Sequence, residues 1–120
     1  MKVTTAIKLD TYACVVQVII CDGDIRKEIN KVCKKHKHKE TYTDYVAGLT
    51  LSFSMNKYYI FYHTDYLSHN TIAHELYHVV RNLTQDRDIK EEESQAWVIG
   101  YLTEEVYNFI KKKKLELKNG

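Results

Sequence analysis

The stretch from Ile72 to Leu83 carries the pattern that most restricts how this chain can fold. Its apolar residues recur at intervals of three and four, the spacing that lines one face of an α-helix. Upstream, Ser68 or Asn70 can cap the start of such a helix. We therefore predict an amphipathic helix whose apolar face packs against a core, and that face consists of Ile72, Leu76, Val79 and Leu83.

Two histidines of the segment His74-Glu75-Leu76-Tyr77-His78 fall outside the apolar stripe, on a flank with Thr71 and Asn82. Residues four apart lie one helical turn apart, so both imidazoles can reach one Zn²⁺ at about 2.0–2.1 Å. Glu75 is then placed to act as general base on a water molecule. This H-E-x-x-H pattern predicts a zinc site and a hydrolytic reaction. The alternative is an ordinary amphipathic helix that carries two surface histidines.

A catalytic zinc site needs a third protein ligand and one open coordination position. The polar run Thr84 to Asp88 predicts a turn, and Asp88 with Glu91 forms a capping-box-like pair that opens a second helix. A short turn between two helices returns the second helix against the first. An acidic residue in the first turns of the second helix can then face the two histidines.

Glu93 is the residue that we predict as third ligand. It shares one helix face with Ala96, Trp97 and Gly100, and the small residues on that face allow close approach to another helix. Glu92 is the fallback, pointing about 100° away on the helix. A purely electrostatic alternative exists, because acidic residues at a helix N-terminus offset the macrodipole without any metal.

This arrangement resembles the zincin metallopeptidases that use glutamate as third ligand. More narrowly, Glu93-Ser94-Gln95-Ala96 is similar to the E-x-x-A element of small ImmA/IrrE-type and phage-associated zinc peptidases. The resemblance covers roughly Tyr58 to Leu102, in a chain that is short for this family. It implies Zn²⁺ as cofactor, a peptide or protein as substrate, Glu75 as general base, and a ligand set of His74, His78 and Glu93.

The order of predicted elements is βαββαα, an α+β fold in which helices cover a small sheet. A minimal zincin has this shape, and the resemblance implies that its edge strand borders the cleft and pairs with an extended peptide. We expect one domain spanning residues 1–120. Before the two helices above, the predicted elements are a strand at Thr11–Ile20, a helix from Ile25 to about Lys35, and strands at Val46–Ser54 and Lys57–His63, with a hairpin turn at Met55-Asn56.

The net charge and the cysteine content limit which binding partners and which cellular compartment we expect. The net charge of +2 produces no global field that favours nucleic acid. The apolar run from Cys14 to Cys21 is interrupted by Gln17 and is too short to span a membrane. Three cysteines without paired spacing indicate reduced, buried thiols in a cytoplasmic protein. We therefore expect neither a nucleic-acid nor a membrane partner.

Three functional hypotheses follow from the sequence. The first is a small cytoplasmic zinc peptidase, in which His63, His69 or Tyr101 stabilises the oxyanion. The second is a catalytically silent zincin-like domain that binds a partner protein. The third is a structural domain in which the motif arises by chance.

Overall fold

The first strand pair of the chain is a β-hairpin at one edge of the sheet. In this computed structural model, which describes residues 1–39, 42–44 and 46–119, β1 spans Lys2–Leu9 and β2 spans Cys14–Cys21. A short 3-10 turn, Asp10–Tyr12, joins them and ends at Ala13, whose left-handed backbone has a φ of 52°. The strands pair antiparallel along their whole length.

The prediction of a single strand over Thr11–Ile20 is therefore wrong at its start. Residues 11 and 12 belong to the turn, and β1 is a further strand. Its signal is present in the sequence, because Val3, Ile7 and Leu9 point inward with the period of two that a strand requires. The observed order is ββαββαα rather than βαββαα.

The remaining elements follow the predicted order. The first helix and the second hairpin have the predicted ends, except that β3 begins two residues later than predicted. The observed bounds are α1 Ile25–Lys35, β3 Gly48–Ser54, β4 Lys57–His63, α2 His69–Asp86 and α3 Glu92–Lys112. Helix α2 is longer than predicted.

The four strands form one mixed sheet with the order β1-β2-β4-β3. The two central strands, β2 and β4, run parallel, and both outer pairings are antiparallel. Both faces of the central strands are covered: Tyr58, Ile60 and Tyr62 of β4 pack with α2 and α3. Tyr59 and Phe61 point to the opposite face and pack with α1. The result is an α+β fold of three layers, in which β3 is an edge strand beside α2.

The start and the buried face of α2 agree with the sequence prediction. Ser68 is the N-cap residue, and its Oγ accepts a hydrogen bond from the backbone N–H of Thr71 at 3.1 Å. The helix continues to Asp86, so residues 84–86 are helical rather than part of the predicted turn. All four stripe residues are at most 1% exposed: Ile72, Leu76, Val79 and Leu83.

Two residues beyond the end of each α-helix lies a residue that has left-handed backbone and is not glycine. These residues are Lys37, Asp88 and Lys114, with φ values of 58°, 53° and 56°. After α2, the N–H of Ile89 donates to the carbonyl of Thr84 at 2.8 Å, and that of Asp88 to Gln85 at 3.1 Å. This pair of bonds is the Schellman motif, which satisfies the last carbonyls of the helix.

The capping box predicted for Asp88 and Glu91 is consequently wrong. Asp88 closes α2, and Glu91 is the N-cap residue of α3 without a side-chain capping bond. A polar residue just after a helix looks the same in sequence as one just before the next helix. The difference is set by the backbone, which here needs a left-handed residue to turn the chain.

A polar cluster fixes the C-terminal end of α2 to the sheet. The Tyr58 hydroxyl donates to Asp86 Oδ2 at 2.5 Å and accepts from Arg87 at 2.9 Å. Arg87 also donates to the backbone carbonyls of Tyr12 and Met55. Burial, followed by the bond to Asp86, raises the pKa of Tyr58 to about 12.

The three cysteines, Cys14, Cys21 and Cys33, are buried and free, as the sequence predicts. No helix in the described ranges is long and apolar enough to cross a membrane. Neither finding distinguishes among the three functional hypotheses.

The helix ends generate a stability prediction. Glycine adopts the left-handed conformation without steric strain, so Lys114→Gly should raise the free energy of unfolding by about 1 kcal/mol. Lys113 is the matched control, because it lies one residue earlier with right-handed helical backbone. Lys113→Gly should instead lower the free energy by about 0.5–1 kcal/mol. Urea denaturation followed by circular dichroism measures both, and shifts of the same sign would contradict the assigned backbone.

Candidate metal centre

His74 and His78 converge on the exposed side of α2. Their Nε2 atoms are 3.2 Å apart, and the ring planes are inclined at 78°. Two imidazole nitrogens bound to one tetrahedral Zn²⁺ at 2.0–2.1 Å are separated by about 3.3 Å. The donor pair therefore fits a shared metal ion. Without a metal, the same distance allows one ring N–H to donate to the other ring.

Glu75 is oriented toward the same point from a buried position. Its side chain is 8% exposed, whereas that of His74 is 62% exposed. The Thr50 hydroxyl of β3 donates to Glu75 Oε1 at 2.8 Å. The other oxygen, Oε2, lies 3.9 Å from His74 Nε2. One carboxylate oxygen is thus held by the edge strand, and the second faces the histidine pair.

The edge strand approaches α2 closely because its residues on that side are small. An ideal Cβ placed on Gly48 would lie 3.1 Å from both Glu75 Cγ and the Phe61 carbonyl oxygen. Further along, Asn82 of α2 donates to Ser52 Oγ at 3.2 Å. The strip of small side chains that faces α2 consists of Gly48, Thr50 and Ser52.

The sequence contained a signal for this strip. Residues 48–54 alternate between small or hydroxyl side chains and large apolar ones. The apolar set, Leu49, Leu51 and Phe53, packs on the α1 side of the sheet. The polar set must then face the opposite layer, where α2 lies. Beside the strip, an open concavity of about 290 Å³ is lined by Ala47, Gly48, Asn70, Thr71, His74 and Glu75.

Of the helix face predicted to pack against α2, Ala96 borders a groove beside α2, whereas Glu93, Trp97 and Gly100 do not line that groove. Glu93 is exposed, and an ideal Cβ on Gly100 would have no atom within 4 Å. Trp97 is 52% exposed, and its ring lies 6.5 Å from that of Tyr12, in the turn after β1. This flank of α3 therefore points toward the β1 hairpin rather than toward the histidines.

The opposite flank of α3 lies beside α2. Glu92, Gln95, Ala96 and Ile99 line a shallow groove together with Tyr77 and Val80 of α2. The rotation of α3 is set by its large apolar residues, such as the buried Val98 and Leu102. Burying these residues releases more free energy than bringing two small residues into contact.

The structure brings together His74, His78 and Glu75, but it does not add Glu93 to them. Among residues 1–39, 42–44 and 46–119, no three His, Cys, Asp or Glu side chains are grouped so that they hold a metal ion. Glu92 is the acidic residue of α3 on the side of α2, next to Tyr77. The role of Glu93 stays a prediction from the motif.

The three candidates for oxyanion stabilisation have other partners. His63 is buried and accepts a hydrogen bond from the N–H of Asp65 at 3.0 Å. His69 Nδ1 is 2.5 Å from the hydroxyl of Tyr107, and Tyr101 donates to the Lys8 carbonyl at 3.5 Å. The tyrosine beside the pair is Tyr77 within the motif, whose ring centroid is 6.2 Å from that of His78.

The close approach at Gly48 generates a second stability prediction. Gly48→Ala should lower the free energy of unfolding by about 1–3 kcal/mol, because the added methyl group meets backbone as well as Glu75. Gly100→Ala is the matched control: its site is open and helical, so a gain of about 0.5–1 kcal/mol is expected. Urea midpoints report both changes. A Gly48→Ala protein as stable as the parent would show that β3 and α2 are not in contact there.

No protein-family model matches this chain, and no match is found among curated proteins or solved structures. The comparisons therefore assign neither a family nor an activity. Function must be argued from the geometry of the site and from the motif.

Proposed function

We propose that this chain is a zinc-dependent metallohydrolase, most specifically a small peptidase, with His74 and His78 as metal ligands and Glu75 as general base. The observation that carries the proposal is the 3.2 Å approach of the two Nε2 atoms beside a buried carboxylate. Exposed side chains lose rotamer freedom when they are held in one arrangement. A shared metal ion compensates for that loss of entropy. Metal binds the neutral form of imidazole, so the two bound histidines do not repel each other through charge.

The residues around the histidine pair have separate roles in the proposed hydrolysis. Zn²⁺ bound there supplies Lewis acidity, which makes water a stronger acid and polarises a scissile carbonyl. Glu75 accepts the proton of the attacking water and passes it to the leaving amine. Thr50 holds Oε1, so that Oε2 stays on the side of His74 and receives the proton. The concavity beside Gly48 gives a peptide access to that oxygen.

A third ligand from the first turn of α3 completes the proposed site. The resemblance in motif names Glu93, whereas the position beside Tyr77 and α2 favours Glu92. Both side chains are exposed, so either carboxylate can change rotamer when metal binds. We propose a cytoplasmic location, because free thiols persist in a reducing compartment.

A second candidate function is that of a catalytically silent zincin-like domain that binds a partner protein. The observation that favours it is the absence, within the described part of the chain, of a third metal-binding side chain grouped with the histidines. In this case a bound metal ion stabilises the binding surface and takes no part in a reaction. Metal binding and hydrolysis have to be measured separately to distinguish the two functions.

The first functional prediction concerns metal stoichiometry. The purified chain should bind about one Zn²⁺, and His74→Ala or His78→Ala should abolish that binding. His69→Ala is the matched control, because His69 lies on the same helix but pairs with Tyr107. Isothermal titration with Zn²⁺ gives stoichiometry and affinity. In the same experiment, the larger loss of affinity between Glu92→Gln and Glu93→Gln identifies the third ligand. A parent protein that takes up no zinc would refute the metallohydrolase.

The second functional prediction separates metal binding from catalysis. Glu75→Gln should keep zinc and lower kcat by about 10²-fold or more, the usual contribution of a positioned base. Thr50→Val should also keep zinc and lower kcat by a smaller factor, because the carboxylate loses its hydrogen bond to β3. Ser52→Ala, two residues along the same strand, serves as control. Release of peptides from fluorescent casein is the assay. If Glu75→Gln loses zinc as completely as His74→Ala, the assigned role is wrong; a zinc-loaded parent without activity favours the binding domain.

A further inference from the structure

The outer flank of α3 carries an aromatic surface that the proposed hydrolase does not use. Trp97 and Tyr101 lie one helical turn apart, with ring centroids 5.3 Å apart and planes within 3° of parallel. Tyr12 adds a third ring, tilted by 60° and 6.5 Å from Trp97. We call these three residues the aromatic ridge. Its contacts are with the β1 hairpin, so it faces away from His74 and His78.

Tyr12 and Tyr101 are half-buried and pack against the edge of the core, whereas Trp97 stands out from it. The neighbouring residues Val98 and Leu102 are fully buried and supply the contacts of α3 with the sheet. Trp97 is nevertheless 52% exposed, in a chain that contains one tryptophan. Single exposed apolar side chains are common, but here the half-buried rings of Tyr12 and Tyr101 extend the exposed surface of Trp97, and such grouped apolar surface marks sites that bind other molecules.

Carboxylates flank the ridge at both ends. Glu93, Trp97, Tyr101 and Glu105 follow one another at intervals of four residues, so they form a single row along α3. Asp10 lies two residues before Tyr12, and Glu104 lies beside Glu105. Within the described residues, none of these four carboxylates forms an ion pair, and the cation that contacts the ridge, Arg87, donates to the backbone carbonyl of Tyr12. Burial raises the pKa of Tyr101, and the further causes are the charge of Glu105, a hydrogen bond to that carboxylate, and the charges of Asp10 and Glu104.

Around the ridge, carboxylates outnumber the cationic residues whose contacts with it are seen, Lys8 and Arg87. Four carboxylates surround the ridge, whereas the chain carries a net charge of +2. Trp and Tyr faces attract cations through the ring quadrupole, and arginine is the most frequent partner. A guanidinium group also stacks on aromatic rings and pairs with carboxylates through two hydrogen bonds. Rings between carboxylates therefore match arginine better than any other side chain.

We propose that the aromatic ridge binds an arginine-rich segment of a partner protein. The row from Glu93 to Glu105 extends over about 18 Å, at 1.5 Å per helical residue. An extended peptide covers that length with about five or six residues. The row shares Glu93 with the proposed metal site, but the three rings and Glu105 have no part in that site, so the proposal does not rest on zinc binding.

Fluorescence of Trp97 tests the proposal directly, since no other tryptophan contributes. Metal-free protein is titrated at low salt with hexa-arginine, hexa-lysine and hexa-citrulline. Hexa-arginine should change the emission saturably at one peptide per chain. Hexa-lysine should bind more weakly, because its ammonium groups are point charges that do not stack. Hexa-citrulline keeps the shape but lacks the charge, and it should give no change.

Variants that keep Trp97 locate the binding. Tyr101→Leu and Glu105→Gln should each weaken hexa-arginine binding by about 2–5-fold, as expected for one exposed cation–π or ion-pair contact. Glu116→Gln is the matched control: it removes one exposed carboxylate beyond the end of α3 and should leave the affinity unchanged. Circular dichroism verifies that each variant is folded.

Two results would overturn the proposal. One is equal binding of hexa-arginine and hexa-lysine with no effect of either ridge variant, which would indicate attraction by charge alone. The other is emission that changes with protein concentration in the absence of peptide, accompanied by dimer formation in sedimentation. In that case a second copy of the chain, rather than an arginine-rich partner, covers the ridge.

Discussion

The arrangement of this protein depends on the burial of one helical stripe against one strand. Ile72, Leu76, Val79 and Leu83 of α2 pack on the face of β4 formed by Tyr58, Ile60 and Tyr62. Each such side chain contributes about 1.5–3 kcal/mol when it leaves water. The Tyr62 hydroxyl adds a hydrogen bond to the Ile72 carbonyl at 3.0 Å. This packing fixes the rotation of α2, and the rotation directs the histidines outward and Glu75 toward the edge strand.

Taken alone, the buried position of the Glu75 carboxylate lowers the stability of the folded protein. A carboxylate removed from water loses hydration that one hydroxyl group replaces only in part. Thr50 supplies that hydrogen bond, and the rest of the strip on β3 offers a glycine and a serine instead of a cation. A side chain without charge would fill the same space at lower cost. The arrangement is explained if the carboxylate has a chemical task, which is the role that we propose for it.

The buried face of helix α3 covers only part of its circumference, so the helix exposes two separate flanks to solvent. Toward α2, Glu92 and Ala96 border a groove beside the motif. Toward the β1 hairpin, Trp97 and Tyr101 form most of the aromatic ridge. The same helix can therefore complete a metal site on one side and contact a partner on the other. The two proposals share Glu93, which is a candidate metal ligand and also the first carboxylate of the row along the ridge.

The sequence by itself determined the elements whose signals are local. Helical spacing of apolar residues located α1 and the buried stripe of α2, and Ser68 was one of two candidates for the start of α2. The aromatic and β-branched run of β4 after the turn Met55-Asn56 indicated a hairpin with β3. It also placed His74, Glu75 and His78 on one helix, where four-residue spacing brings the imidazoles together.

Tertiary structure decided the rest. The role of Asp88 as a left-handed helix end depends on how the chain must turn, which its polar side chain does not reveal. The flank of α3 that meets α2 depends on where Val98 and Leu102 pack into the core, which the spacing of Glu93, Ala96 and Gly100 does not reveal. The contact between Thr50 and Glu75 joins residues of separate elements, and only the packing of the edge strand on α2 brings them within hydrogen-bonding distance.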